Sequence, residues 1–339
     1  MRLSRRKFLR AGALFLPATY VRAIGFKDPQ FVKNLYTGAG VPICPDGSTA
    51  MSAYLTNVAG MGGTAPSSAI QNAMGALYCG MEADGYLSKF VFMQTYSPTG
   101  VGDGTTNLGT MIAAVCPLIY SGSTNPTSML SGLVTQANSN TTALSANGVL
   151  SITANWAMNP FIDITASLTP TSAGLTTYTT GGVVTTNGAA IGCFNSSLSP
   201  PAAFYLFPNY GDGNAYFAAW NATTGQLGAA LPGGAGFFGY VSGNRTGATA
   251  QALYVANSTH AHASIGTNSG ASGSNSQSNF NSPLIYAVSN QNFLASTTAY
   301  DQQMRHSLNA IHLGLTLSES AMFSARYQTF RTACGGGFI

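Results

Sequence analysis

Nine carboxylates, four histidines and five cysteines are where proton transfer, metal ligation or thiol chemistry would have to reside in this 339-residue chain. Hydrolysis of a glycosidic bond needs two carboxyl groups, about 5 Å apart for retention and farther apart for inversion. Asp46, Asp84, Asp103 and Asp212 each precede a glycine, where turn formation explains them. Glu319 stands three residues after Thr316, the spacing of a helix capping box. Asp163, between Ile162 and Ile164 in FIDITAS, is the one carboxylate inside a strand-like run, and alternation turns it away from its apolar neighbours. Asp28 and Asp301 complete the nine with Glu82, which opens the Glu82-Ala83-Asp84-Gly85 run expected to end a helix.

The histidines are His260, His262, His306 and His312. His260 and His262, two apart in STHAHAS, would share one strand face and suit two ligands of a metal. Zinc wants a third nitrogen, sulfur or oxygen ligand, and none is close in sequence. His312 alternates with Ile311 and Leu313, as a packed strand residue does. There is no G-x-S-x-G elbow, so no catalytic set is assigned. Cys44, Cys79, Cys116, Cys193 and Cys334 form no C-x-x-C pair. An oxidising compartment would permit pairing, spacing does not assign it, and Cys79 and Cys193 read equally well as small buried residues.

Binding chemistry has more material. Asn209, Asp212 and Asn214 place oxygen ligands in one loop, a set that would suit calcium. Trp156, Tyr210, Tyr216 and Trp220 lie beside turns and could stack on sugar rings, with core packing as the competing role. Arg245, between Asn244 and Thr246, could orient a ligand carboxylate or sugar, or hold a hairpin through guanidinium–backbone hydrogen bonds.

The elements that would position these residues are mostly strands. GVLSITA, FIDITAS, LTTYTT, AAIGCF, AAFYLF, NAYFAAW, GFFGYV and ALYVAN are short β-prone runs closed by turn residues. Together they predict an all-β sandwich or barrel. Asp212-Gly213 predicts a hairpin. Residues 24–66 read as an irregular arm, with CPDG at 44–47 a turn. A helix follows from Ser67 or Ser68, with Ile70, Met74, Leu77 and Met81 on one face, and 67–96 ends in a leading strand. The sandwich is expected over 97–335, with 97–148 loop-rich and the Ser/Gly/Asn-rich 263–282 a loop. LIYAVS and NAIHLGL resume strand character. A closing helix presents Phe323, Tyr327, Phe330 and Cys334 on one face.

Only 6% of residues are charged, while 45% are hydrophobic, a composition of sheets with hydroxyl and amide surfaces. Six of the thirteen basic residues lie in the first 22 positions; the other seven face nine acidic ones, a balance of −2 that excludes nucleic-acid binding by charge. Residues 1–23 read as a signal peptide: a basic segment, a short apolar run, then Val21-Arg22-Ala23. Arg5-Arg6 followed by Phe8-Leu9 resembles the twin-arginine export signal, which implies a bacterial protein handled folded by that export machinery and placed in the periplasm or outside the cell. The apolar run is too short to span a bilayer, and no other stretch is longer, so no membrane span is expected after processing.

Three blocks carry a family resemblance. AIQNAMGALYCGMEADGYLSKFVFM (69–93) resembles a leading helix found before certain phage and prophage structural domains. YVSGNRT…LYVAN (240–257) is similar to that family's strand pair with an Arg-Thr turn. AIHLGLTLSESAMFSARYQTFRTACG (310–335) is similar to its closing strand and helix, with Cys334 at a usually aliphatic position. The family is that of concanavalin A-like lectin/glucanase (laminin G-type) jelly rolls of virion-associated proteins. The resemblance implies a jelly-roll sandwich with calcium as a possible ligand. Glucanases of this fold place paired carboxylates on one strand, as in E-x-D-x-x-E, and this chain has no such run. The expected function is therefore non-catalytic recognition of glycan or cell-surface material. A hydrolase would instead need two of Asp103, Asp163 and Asp212 facing each other. A prophage-derived virion subunit would form trimers or larger oligomers.

Overall fold

Short runs rich in Val, Ile, Tyr, Phe and Thr pair into two sheets in the computed structural model of the chain. It describes residues 44–95, 113–114, 116–121, 143–145, 148–150, 162, 164–182, 189–195, 202–221, 225–270, 284–285, 289–290 and 304–336. The larger sheet follows the order β12 (Ala263–Asn268), β11 (Ala250–Ala256), β10 (Gly239–Gly247), β5 (Ala173–Gly182), β15 (Met304–His312), β1 (Phe90–Gln94), β2 (Ile119–Tyr120). Strand β4 (Gly148–Leu150) joins β15, and β3 (Ala143–Ser145) joins β4. The smaller sheet runs β13 (Leu284–Ile285), β6 (Ile191–Asn195), β7 (Ala202–Phe207), β8 (Asn214–Asn221), β9 (Leu227–Ala230). Here β14 (Ser289–Asn290) pairs with β6 in parallel; the other pairings in both sheets are antiparallel.

Alternation along each strand explains why the sheets stack. Leu175, Val241, Leu253 and Ile311 of the larger sheet share one buried core with Ile191, Phe204, Leu206 and Phe217 of the smaller. That common core makes the architecture a β-sandwich. The layers meet closely where Phe217 lies on Gly243, since a Cβ there would be 2.2 Å from the ring.

The opposite face of the larger sheet is covered by helices. α1 (Pro45–Gly60), α2 (Ser68–Ala83) and α3 (Leu317–Ala333) bury Tyr54, Val58, Ile70, Met74, Leu77, Phe323, Tyr327 and Phe330 against Tyr178, Tyr240, Leu308 and Ala310. Two ion pairs tie α3 to the leading segment: Arg326 to Asp84 at 2.8 Å and Lys89 to Glu319 at 2.7 Å. Thr316 and Glu319 form the expected capping box. Three expectations need correction. Residues 45–60, read as part of an irregular arm, form α1, which carries Met51, Tyr54, Leu55 and Val58 at i, i+3, i+4 and i+7. Within FIDITAS, Ile164–Ser167 make one helical turn rather than a strand. Ala263–Asn268, read as loop, pair with β11 as an edge strand.

Candidate functional site

The outer face of the smaller sheet carries a row of aromatic rings. On β7, Phe204 and Leu206 enter the sandwich, so Ala203, Tyr205 and Phe207 point outward; on β8, Tyr216 and Ala218 do the same. Tyr205 meets Phe207 edge-on at 4.8 Å, Phe207 meets Tyr210 at 5.8 Å, and Tyr210 meets Tyr216 at 5.5 Å. The first two rings are buried and the last two half-buried, so the row emerges at the β7–β8 hairpin.

That hairpin is held firmly. Tyr210 N–H donates to Asn214 O, and Gly213 N–H to Tyr210 O, both at 2.8 Å. Gly213 has φ of 81°, the left-handed turn that Asp-Gly predicts. Asn209 is fully buried; its Nδ2 donates to Ala235 O at 2.9 Å and Phe237 O at 2.8 Å, fastening the hairpin to the β9–β10 loop. Tyr216 rests on β9: a Cβ on Gly228 would lie 2.6 Å from its ring.

Polar groups rim the exposed end. The Tyr216 hydroxyl donates to Asp212 Oδ2, and Asn214 N–H donates to Asp212 Oδ1 at 2.9 Å. Asn214 Nδ2 donates to the Tyr216 hydroxyl at 3.4 Å. Burial alone would raise the Asp212 pKa, but the hydrogen bonds from Tyr216 and Asn214 outweigh it and hold the carboxyl below its usual range. The same bond to Asp212, aided by burial, pushes the Tyr216 phenol up. Farther along the row, the Tyr205 hydroxyl donates to Gln226. Tyr210, Asp212, Asn214 and Tyr216 thus come together as two rings beside an ionised carboxylate and an amide.

The other expected binding residues lie elsewhere. Asn209 is turned inward and gives its amide N–H groups to the loop, so the three-residue calcium set Asn209, Asp212 and Asn214 is not assembled as one oxygen cage. Trp220 sits in the sandwich core against Phe204, at 4.8 Å between rings, and offers no face outside. Alternation would have put it outward with Tyr216 and Ala218. Ala203 pairs with Asn221 and Phe204 with Ala219, which leaves Trp220 as the extra residue of a β-bulge. It alone among the described non-glycine residues has positive φ, 53°. Burying roughly 200 Å² of indole stabilises by about 5 kcal/mol, more than the roughly 1–2 kcal/mol that left-handed backbone costs. Arg245 is buried, and its Nη1 donates to Ala248 O at 2.8 Å and Gly270 O at 3.3 Å. It braces the β10–β11 hairpin and reaches no ligand surface; burial lowers its pKa to about 10, so it stays charged. Trp156 lies outside the described residues, as do Asp28, Asp103, Asp163 and Asp301.

The histidines do not converge. His260 belongs to a turn, held by Asn257 Oδ1 at 3.0 Å, while His262 Nε2 meets Ser320 Oγ at 3.0 Å beneath α3. His312 starts a buried chain of hydrogen bonds. Its Nδ1–H donates to Leu313 O at 2.7 Å, which leaves Nε2 to accept from Thr176 at 2.8 Å. Thr176 then accepts from Ser242 at 2.7 Å, Ser242 from Asn244 Nδ2 at 2.8 Å, and Asn244 Oδ1 from Leu315 N–H at 2.9 Å. His306 pairs with Thr177 at 2.9 Å. Burial lowers the pKa of His306 to about 3 and that of His312 to about 4, so both are neutral structural groups. Cys44 and Cys79 form a disulfide joining the start of α1 to α2, whereas Cys116 and Cys193 are free and buried. No protein-family model matches the chain, and no curated protein matches it in sequence.

Proposed function

We propose that this is an exported, non-catalytic binding protein. Its concanavalin A-like (laminin G-type) jelly-roll sandwich recognises glycan or cell-surface material at the β7–β8 hairpin. The observation that carries this reading is the pair of half-buried rings, Tyr210 and Tyr216, beside the exposed carboxylate of Asp212 on a braced loop. An apolar pyranose face stacks on tyrosine, and an ionised carboxylate with an amide accepts and donates hydrogen bonds at its hydroxyl rim. The two-sheet architecture and the three sequence blocks support the family. The Cys44–Cys79 disulfide supports a final location in an oxidising compartment.

A glycan array probed with the exported protein tests the reading. Saturable binding is expected, reduced by Tyr210→Ala and unchanged by a calcium chelator, since Asn209 is committed to the β9–β10 loop and completes no oxygen cage with Asp212. No binding to any glycan would shift the weight to an assembly role, and trimmed glycans recovered from the array would establish a hydrolase. Replacing Arg5 and Arg6 by lysine should leave the chain inside the cell; unimpaired export of that variant would refute the twin-arginine route.

A further inference from the structure

The start of α1 and the end of α2 bring unusual chemistry together. The sulfurs of Cys44 and Cys79 and a carboxylate oxygen of Glu82 all lie within 4.8 Å of one another. Asp46 stands beside Glu82, whose Oε2 is shielded from solvent and accepts no hydrogen bond. Each sulfur receives a backbone N–H: Gly47 N–H donates to Cys44 Sγ at 3.1 Å, and Cys44 N–H to Cys79 Sγ at 3.3 Å. Such bonds stabilise thiolates more than they stabilise a neutral disulfide. Cys44 is also the N-cap of α1, a sixteen-residue helix whose dipole favours negative charge there. Gly47 leaves the space open, because a Cβ on it would be 2.4 Å from Cys79 Sγ and 2.6 Å from Cys44 Sγ.

We propose that, in the reduced chain, Cys44, Cys79 and Glu82 form a binding site for zinc or a similar thiophilic divalent cation. Asp46 adds a second negative charge beside Glu82, and water completes a tetrahedral shell. The two cysteine Cα atoms are 5.6 Å apart, so the sulfurs reach the separation of about 3.8 Å that a tetrahedral zinc with 2.3 Å bonds requires by side-chain rotation. Metal binding releases the two thiol protons. The disulfide is the alternative state of the same sulfurs: exchange with an external disulfide oxidises both thiols, yields two external thiols and frees the ion. A newly made chain in a reducing cytosol starts with thiols, so the metal state precedes the disulfide. The metal would then fasten α1 to α2 before the covalent bond does.

Titrating the reduced full-length chain with cobalt(II) as a spectroscopic stand-in for zinc tests this. One equivalent should bind with a thiolate-to-cobalt charge-transfer band, and equimolar zinc should displace it. Oxidised chain should show no band. Cys44→Ser and Cys79→Ser should abolish it, Glu82→Gln should weaken binding about tenfold or more, and Asp46→Asn should weaken it less. Cys334→Ser should leave it intact. Circular dichroism of each variant separates loss of the site from loss of the fold. If a cysteine variant does not fold, Glu82→Gln decides. A band that survives in the cysteine variants, full affinity in Glu82→Gln, or no band in folded reduced chain would overturn the proposal.

Discussion

The two outer faces of the sandwich solve opposite problems. On the larger sheet the face is closed by three helices, and it carries a directed chain of hydrogen bonds from Leu315 N–H through Asn244, Ser242, Thr176 and His312 to Leu313 O. On the smaller sheet a row of rings runs outward and ends at Tyr210 and Tyr216, with Asp212 exposed beside them. A buried polar chain whose donors are already matched to acceptors fixes register and resists change. Rings and a carboxylate that reach solvent can trade water for a ligand. His262, His312, Thr176, Ser242 and Ser320 gather on the first face, yet the second ends in exposed polar groups beside aromatic rings.

Changes to the enclosed parts should cost stability. Below a pH near 6.5 the unfolded chain takes up protons that buried His306 and His312 refuse until about pH 3 and 4, so stability present at neutral pH is lost as pH falls. By pH 5 the loss should approach about 2 kcal/mol per histidine, read from denaturant midpoints across pH. A flat profile between pH 7 and 5 would show that these side chains do not stay neutral inside. Trp220→Ala should cost about 3–5 kcal/mol, because the cavity left beside Phe204 cannot be filled from the bulge. Asn244→Leu should cost about 2–3 kcal/mol by stranding Leu315 N–H and removing the donor to Ser242 Oγ.

At the exposed end of the aromatic row the reverse is expected. Gly228→Ala places a Cβ against the Tyr216 ring and should displace it. Stability should change by less than about 1 kcal/mol, since a half-exposed ring can swing away. Glycan affinity should nevertheless fall about tenfold. A large drop in melting temperature for this variant would place Tyr216 among the structural groups instead.

Much of this was legible from local pattern. Alternation and turn residues mark β5 to β8, Asp212-Gly213 marks the hairpin, and Thr316 to Glu319 marks the start of α3. Tyr210, Asp212, Asn214 and Tyr216 lie within seven residues of one another, so a single hairpin brings them together. What escaped depends on distant partners. Trp220 follows the strand's alternation until an extra residue opposite β7 reverses it, and no property of β8 alone reveals that. Arg245 is committed by carbonyls as far along as Gly270, and Asn209 by Ala235 and Phe237. The pairing of Cys44 with Cys79 became visible only once α1 and α2 packed, and α1 was obscured by glycine and serine around an apolar stripe that was present all along.

The most direct test is a calorimetric titration, with the best array glycan, of the native protein, the Tyr210→Ala/Tyr216→Ala double variant and Asn244→Leu. The account predicts that the double variant keeps its melting temperature within a few degrees while its affinity falls at least about tenfold, or 1.4 kcal/mol. Asn244→Leu should melt earlier and, below its transition, bind normally. Native affinity in the folded double variant would contradict the assignment of the β7–β8 hairpin as the binding site.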